Sequence, residues 1–333
     1  MLIQIDGWFA GGKSVLWSLL DGHSDVFVCP VHEYSFAGFL NQSNEDEWIT
    51  KKHTTTLRRI LSRTEFYKFE KLYWDKVLPI SLSSDVSIDI PYDVNFYEYD
   101  EQLFRALDAC KEWSIETIVN KIYQVYYEIY TRNNVHPKYY AMMSHPTSYM
   151  LYEQIPTLLP GMKSILVKRG VKNIIASRMN RNERPKDLNE AKAFRVPFDI
   201  LMKRNDVEQI LDFYNTYELL QDKYPDNFLV VSFDELITNT KNTMSGVSKF
   251  LGVGYEEILA LPTRDGKELR SGDVSFIGTE NDDYRNLLGE DEIAVIESRI
   301  RRYNIFKKPY NVFSLKDQMI NLKNRLRPVL YKS

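Results

Sequence analysis

The chain has 333 residues, 44% hydrophobic and 27% charged, with a formal net charge of −3. That is an ordinary profile for a soluble globular protein of one large domain or two modest ones. It excludes a chain that traps polyanions with its whole surface, so any nucleic-acid or membrane contact needs a local patch.

The first apolar run, "LIQI" (2–5), reads as a buried strand. It opens the chain with no basic leader before it, and no run approaches the ~18 apolar residues of a membrane span. The two cysteines, Cys29 and Cys110, give neither a disulfide framework nor a zinc pattern and suit a reduced compartment. A cytoplasmic location is expected. The histidines, five in all, are scattered without ligand spacing, and no metal site is expected.

After this strand, Gly7 to Ser14 spells G-W-F-A-G-G-K-S, which fits the phosphate-loop pattern G-x-x-x-x-G-K-[ST]. The required context is present: a strand, a glycine-rich turn, then "SVLWSLLDG", with Val15, Leu16, Leu19 and Leu20 on one stripe and Gly22 as a stop. Such a turn gathers backbone N–H groups at a positive helix end. Gly11 and Gly12 let an anion approach, Lys13 supplies a cation and Ser14 a hydroxyl.

The next strand is "VFVC" (26–29), followed by "PVHEYSF". Residues 41–138 interrupt the rhythm with charge, aromatics and a helical second half, "SIETIVNKIYQVYYEIYTR", and read as a helical insertion. Strands resume with "YAMMS" (140–144), "SILVK" (164–168) and "FLVVSF" (228–233), and "VKNIIASRM" between them repeats the helical stripe with Ile174, Ile175 and Met179. The expected fold is therefore α/β: a central parallel sheet of about five strands with helices on both faces. The expected domain spans 1–312, and 313–333 forms a basic amphipathic tail. Residues 301–333 hold nine Lys or Arg against one acid, Asp317, so the tail could meet an anionic surface.

Taken alone, the loop suggests a kinase or NTPase, with Asp234 at the end of the last strand as a Mg²⁺ partner for Ser14. The rest of the chain points elsewhere. "SLLDGHSDVFVCPVHE", "SILVKRGVKNIIASRMNR" and "FLVVSFDELITNTKNTMSGVSKFLGV", followed by "LPTRDGKELRSGDVSF", stand in an order and spacing that resemble the sulfotransferases using 3′-phosphoadenosine 5′-phosphosulfate (PAPS). Their fold is itself a phosphate-loop α/β fold. The resemblance implies that Ala10, Gly11, Gly12, Lys13, Ser14 and Val15 hold the 5′-phosphosulfate. It further implies that Arg169, with Ser177 eight residues later, binds the 3′-phosphate, and that no metal is needed. "FDEL" then becomes structural, with Asp234 or Glu235 capping the following helix. His23 also reads as structural.

The chain departs from the family pattern at three points. Ala10 stands where the family often has Arg or Lys, Gly170-Val171 replaces Asp-Pro, and Ser144-His145 replaces a Lys at the third strand's end. A non-catalytic nucleotide-binding protein is therefore a further reading. Lys13 is the expected cation for the leaving phosphate. The general base lies among Glu33, which the resemblance favours, His145 and His32. The expected partner is a small-molecule or saccharide acceptor, the latter in keeping with 22 tyrosines, and not nucleic acid.

Overall fold

The computed structural model describes residues 1–33, 37–62, 94–144, 146, 149–180, 196–264, 266–269 and 284–306. Strand β1 is Leu2–Asp6, and all five of its residues are buried. A strand buried on both faces belongs in a sheet interior. Around it stand β2 (Val26–Glu33), β3 (Tyr139–Ser144), β4 (Lys163–Lys168) and β5 (Phe228–Ser232), in the order β2-β3-β1-β4-β5. Every pairing in this sheet is parallel. Each apolar run read from the sequence is thus a strand of one sheet. The last run ends one residue early, because Phe233 starts a helix.

Helices around the sheet include α1 (Lys13–Leu20), α2 (Phe96–Asp108), α3 (Ile115–Thr131), α4 (Val171–Asn180), α5 (Asp206–Lys223), α6 (Phe233–Thr238), α7 (Thr240–Leu251) and α8 (Glu290–Phe306). Local chemistry starts several of them. Asn95 accepts from the N–H groups of Tyr97 and Glu98 at the head of α2, and Ser114 accepts from Thr117 at the head of α3. At the foot of α1, Gly22 turns the chain at φ 83°.

The period of two along each strand sorts side chains onto two faces. Ile3 and Ile5 of β1 pack with Val15, Leu16, Leu19 and Leu20 of α1 and with Leu236 and Val247. Leu2, Tyr140, Met142 and Leu166 point the other way, onto a core with Phe213 of α5. Trp48, Leu57, Leu103, Ile122 and Tyr126, all from the 41–138 stretch, join that second core. The described helices of this stretch therefore cover one face of the sheet.

β2 contains an irregularity. Val28 pairs with Ala141 but His32 pairs with Met143, so extra residues of β2, Pro30 among them, bulge out. The indole N–H of Trp17 donates to the Cys29 carbonyl there at 3.1 Å. Beyond the bulge the strand resumes and reaches Glu33, four residues past the end read from the sequence. No described helix is long and apolar enough to cross a membrane. The tail 313–333 lies outside the described residues.

Leu16 is fully buried between α1 and the sheet. Leu16→Ala should cost about 2–5 kcal/mol of unfolding free energy, the range for large-to-small changes in a packed core, read as a lower midpoint in urea.

Candidate active site

The chain leaves β1 at the centre of the sheet, then runs to β2 on one side, whereas β4 joins β1 on the other. The carboxyl ends of strands at such a reversal form a ligand crevice. The phosphate loop fills this position. Its backbone turns through two left-handed residues, Ala10 (φ 62°) and Gly12 (φ 85°). Gly11 donates its N–H to the Trp8 carbonyl at 2.7 Å, and a Cβ on Gly11 would lie 2.7 Å from that same oxygen. A Cβ on Gly12 would lie 2.2 Å from the Phe233 ring. The closeness of these contacts explains both glycines.

Gly12 provides no side-chain cap to α1, so the positive helix end opens toward the crevice. Lys13 is 7% exposed; its ammonium donates to the Gly7 carbonyl at 3.3 Å and stands 5.9 Å from the Phe9 ring centre. Ser14 is exposed in the first turn of α1. Val15 is different: its side chain is buried in the core, and its N–H donates to the Gly12 carbonyl at 3.0 Å. Only backbone there can face a ligand.

Arg169 follows β4 directly. Its guanidinium donates to the Ala10 carbonyl at 3.1 Å and lies 4.8 Å from the Phe233 ring centre. The Tyr214 hydroxyl clips its backbone, accepting from Arg169 N–H at 3.1 Å and donating to Arg169 O at 2.9 Å. Burial pushes the Tyr214 phenol up, so it stays a neutral clip. Ser177 sits half-buried on α4, after the buried run Ile174, Ile175, Ala176. Its neighbour Arg178 reaches the loop, with the guanidinium 5.6 Å from the Phe9 ring centre and paired with buried Asp206. The structure thus gathers Ala10, Gly11, Gly12, Lys13 and Arg169 at one place.

On the opposite side, Glu33 ends β2 and pairs with Ser144 at the end of β3. β3 separates β2 from β1, so the Glu33 backbone stands two strand spacings, about 10 Å, from the end of β1. His145 lies outside the described residues, as do the side chains of His32 and Glu33. His23 is buried, bonded to the Gly254 carbonyl at 2.8 Å and to the Asp25 N–H at 3.0 Å, a structural role. Asp234 is exposed in the first turn of α6, at the end of β5, with β4 between that strand and β1. The cap of α6 is Ser232, which accepts from the Glu235 N–H at 3.4 Å, and neither Asp234 nor Glu235 caps it. A side chain placed inside the helix cannot fill the position just before it.

Sequence reasoning missed three supports. Phe233 and Arg178 belong to runs read as a strand end and a helix stripe, which carry no anion-site signature. A third group lies directly under the loop. Gln4, Asp6, Ser144, Ser164, Tyr152 and Tyr217 are all buried and hydrogen-bonded to one another. Asp6 also accepts the Gly7 N–H at 2.8 Å and so fixes the start of the loop. Burial pushes the Asp6 carboxyl up, against the pull of the Lys13 charge. The signal was present: Gln4 and Asp6 alternate with Ile3 and Ile5 in a strand buried on both faces.

The family model described as "Sulfotransferase domain" matches residues 41–264, about two thirds of the chain. The match begins after the phosphate loop. No curated protein matches the chain. Among solved structures, the sulfotransferase domain from the Synechococcus PCC 7002 olefin synthase aligns at 13% identity and TM-score 0.49, covering 90% of this chain and 94% of that one. The sulfotransferase domain from the curacin biosynthetic pathway aligns at 17% and 0.40, covering 97% and 96%. A mouse sulfotransferase complexed with PAP aligns at 13% and 0.35, covering 58% and 75%.

Gly12→Ala should destabilise the fold by more than the ~1–2 kcal/mol of a left-handed backbone alone, because the new methyl meets the Phe233 ring. The double variant Gly12→Ala/Phe233→Ala should show a favourable coupling, since removing the ring relieves the clash. Urea denaturation of the four proteins in this cycle reads it; strictly additive losses would rule out the contact as the cause.

Proposed function

Because the chain belongs to the sulfotransferase domain family, we propose that it moves a sulfuryl group from PAPS to a hydroxyl of a small-molecule or saccharide acceptor. The observation that supports this best is the bond between Arg169, at the end of β4, and the carbonyl of Ala10 in the phosphate loop, at 3.1 Å. A donor phosphorylated at both the 5′ and 3′ positions needs two anion receptors on one crevice. The loop with Lys13 and Ser14 is the first receptor. Arg169 with Ser177 is the second, and a guanidinium can meet a phosphate through a fork of two N–H groups.

Each residue then has a definite task. The acceptor oxygen attacks sulfur, and its proton passes to the Glu33 carboxylate. As the new S–O bond forms, the bond from sulfur to the bridging phosphate oxygen breaks, and its electron pair stays on the phosphate. Lys13 and the N–H groups of the loop stabilise that charge. Lys13 leaves the Gly7 carbonyl to do so, a weak contact of 3.3 Å. Glu33 stands toward the β2 edge, so the acceptor approaches from there, while the 3′-phosphate lies toward β4. The two free cysteines accord with a cytoplasmic setting.

Calorimetric titration with the desulfonated product, 3′-phosphoadenosine 5′-phosphate, should show tighter binding than ADP, with or without Mg²⁺. Arg169→Ala should weaken the 3′-phosphorylated nucleotide by about 1.5–3 kcal/mol, the scale of a hydrogen bond to a charged group, and ADP much less. An equal loss for both nucleotides would mean that Arg169 only braces the loop.

Glu33→Gln should lower turnover by about 10²–10⁴-fold, the usual scale for loss of a general base, with nucleotide affinity unchanged. A folded, fully active variant would move the role to His145. A variant that loses melting temperature but keeps its rate per folded molecule would make Glu33 structural.

A further inference from the structure

Five of the side chains under the loop close into a ring. The Gln4 amide donates to the Tyr152 hydroxyl at 2.7 Å, and Tyr152 donates to Asp6 Oδ2 at 2.8 Å. Asp6 Oδ2 lies 3.0 Å from the Tyr217 oxygen, which lies 2.8 Å from Ser164 Oγ. Ser164 donates to Gln4 Oε1 at 2.9 Å and completes the circuit.

Each of these contacts needs one proton between its two heavy atoms. The Gln4 amide supplies one, its other N–H being given to Ser144 Oγ at 2.8 Å. Tyr152, Ser164 and Tyr217 have one hydroxyl proton each. Four protons thus serve five contacts. With Asp6 ionised, the Tyr217 proton serves either Asp6 or Ser164, and one buried oxygen pair faces itself with no proton at all. That is a costly arrangement in a low-dielectric interior.

We infer that Asp6 itself carries the fifth proton, and that it acts as a positioning residue which adds no negative charge of its own beside Lys13. Asp6 Oδ2–H then donates to Tyr217, Tyr217 to Ser164, and Ser164 to Gln4, while Oδ1 keeps the Gly7 N–H at 2.8 Å. The titratable groups facing Asp6 are Lys13 on α1, Tyr152 on the turn Tyr149–Gln154 and Tyr217 on α5. Burial favours the neutral acid, and Lys13 opposes it. An ionised Asp6 would neutralise the lysine on which the loop's anion affinity depends. The role toward Lys13 rests on the proposed donor site; the proton on Asp6 does not.

The test compares the wild type with Asp6→Asn from pH 4 to pH 8. An aspartic acid whose pKa rises on folding keeps a proton that the unfolded chain releases above about pH 4. The wild type should therefore lose melting temperature relative to Asp6→Asn as pH rises through this range. A constant difference, or a relative gain by the wild type, overturns the proton on Asp6. If Asp6→Asn does not fold, Ser164→Ala decides. It removes two contacts and one proton, so three protons serve three contacts with Asp6 ionised; the loss of stability with rising pH should shrink, and an unchanged or larger loss overturns the proposal. For the role toward Lys13, the affinity of 3′-phosphoadenosine 5′-phosphate is measured in both proteins. At pH 7 Asp6→Asn, which also places no charge beside Lys13, should match the wild type within about twofold, and a gain of roughly three- to tenfold on the substitution, the scale of one charge removed at short range in a partly screened site, overturns that role. If neither protein binds this nucleotide at any pH, the donor reading and the role toward Lys13 fall together, while the melting comparison still decides the proton.

Discussion

A Cβ at position 12 would lie 2.2 Å from two carbons of the Phe233 ring, and the site is organised around that contact. The ring packs against a backbone in the left-handed region, which only glycine occupies at low cost. Its other neighbour is the Arg169 guanidinium, at 4.8 Å. One aromatic side chain, delivered by the end of β5, thus spaces the loop after β1 from the arginine after β4. Three strand ends acquire a fixed relation through packing. Preorganisation of this kind is what a site for transferring a charged group requires.

The second constraint is polar. A loop that gathers N–H groups and a lysine must rest on something, and beneath it lie Gln4 and Asp6 on the sheet's central strand. Polar groups so placed are tolerable only when fully bonded. The ring with Tyr152, Tyr217 and Ser164 achieves this, drawing partners from β4, from α5 and from the turn before β4. The same bonds fix the direction in which β1 gives way to the loop, through the Gly7 N–H on Asp6. Packing above and hydrogen bonding below therefore hold the loop from both sides.

Much of this fold was legible in the sequence because strands buried on both faces must be apolar runs, and five such runs became five strands. The loop was legible because its glycines answer to backbone geometry that few other residues meet. Other parts were not legible, for physical reasons. The extension of β2 to Glu33 depends on a bulge around Pro30, anchored by Trp17 from a different element. The capping role of Ser232 depends on where β5 stops, one residue earlier than its apolar pattern does. Phe233, Arg178 and Tyr214 act across the fold, and no local spacing marks them. Gln4 and Asp6 were visible as letters, but their meaning needed the two tyrosines brought over β1 from elsewhere in the chain.

The sheet order also constrains how the proposed reaction can be laid out. β4 and β2 lie on opposite sides of β1, so groups at their ends cannot serve the same end of one substrate. Cationic groups collect on the β4 side, where Arg169 and Arg178 approach the loop. The β2 side ends in a carboxylate residue, Glu33, beside Ser144. In the proposed reaction a doubly phosphorylated donor would be drawn toward the first side. A neutral acceptor hydroxyl suffers no such bias and can occupy the second, where a base is of use. In that proposal the sulfuryl group would sit over Lys13, between the two, at the point where the dipole of α1 begins. On the proposed function, segregating charge by strand order in this way would give the crevice a donor end and an acceptor end.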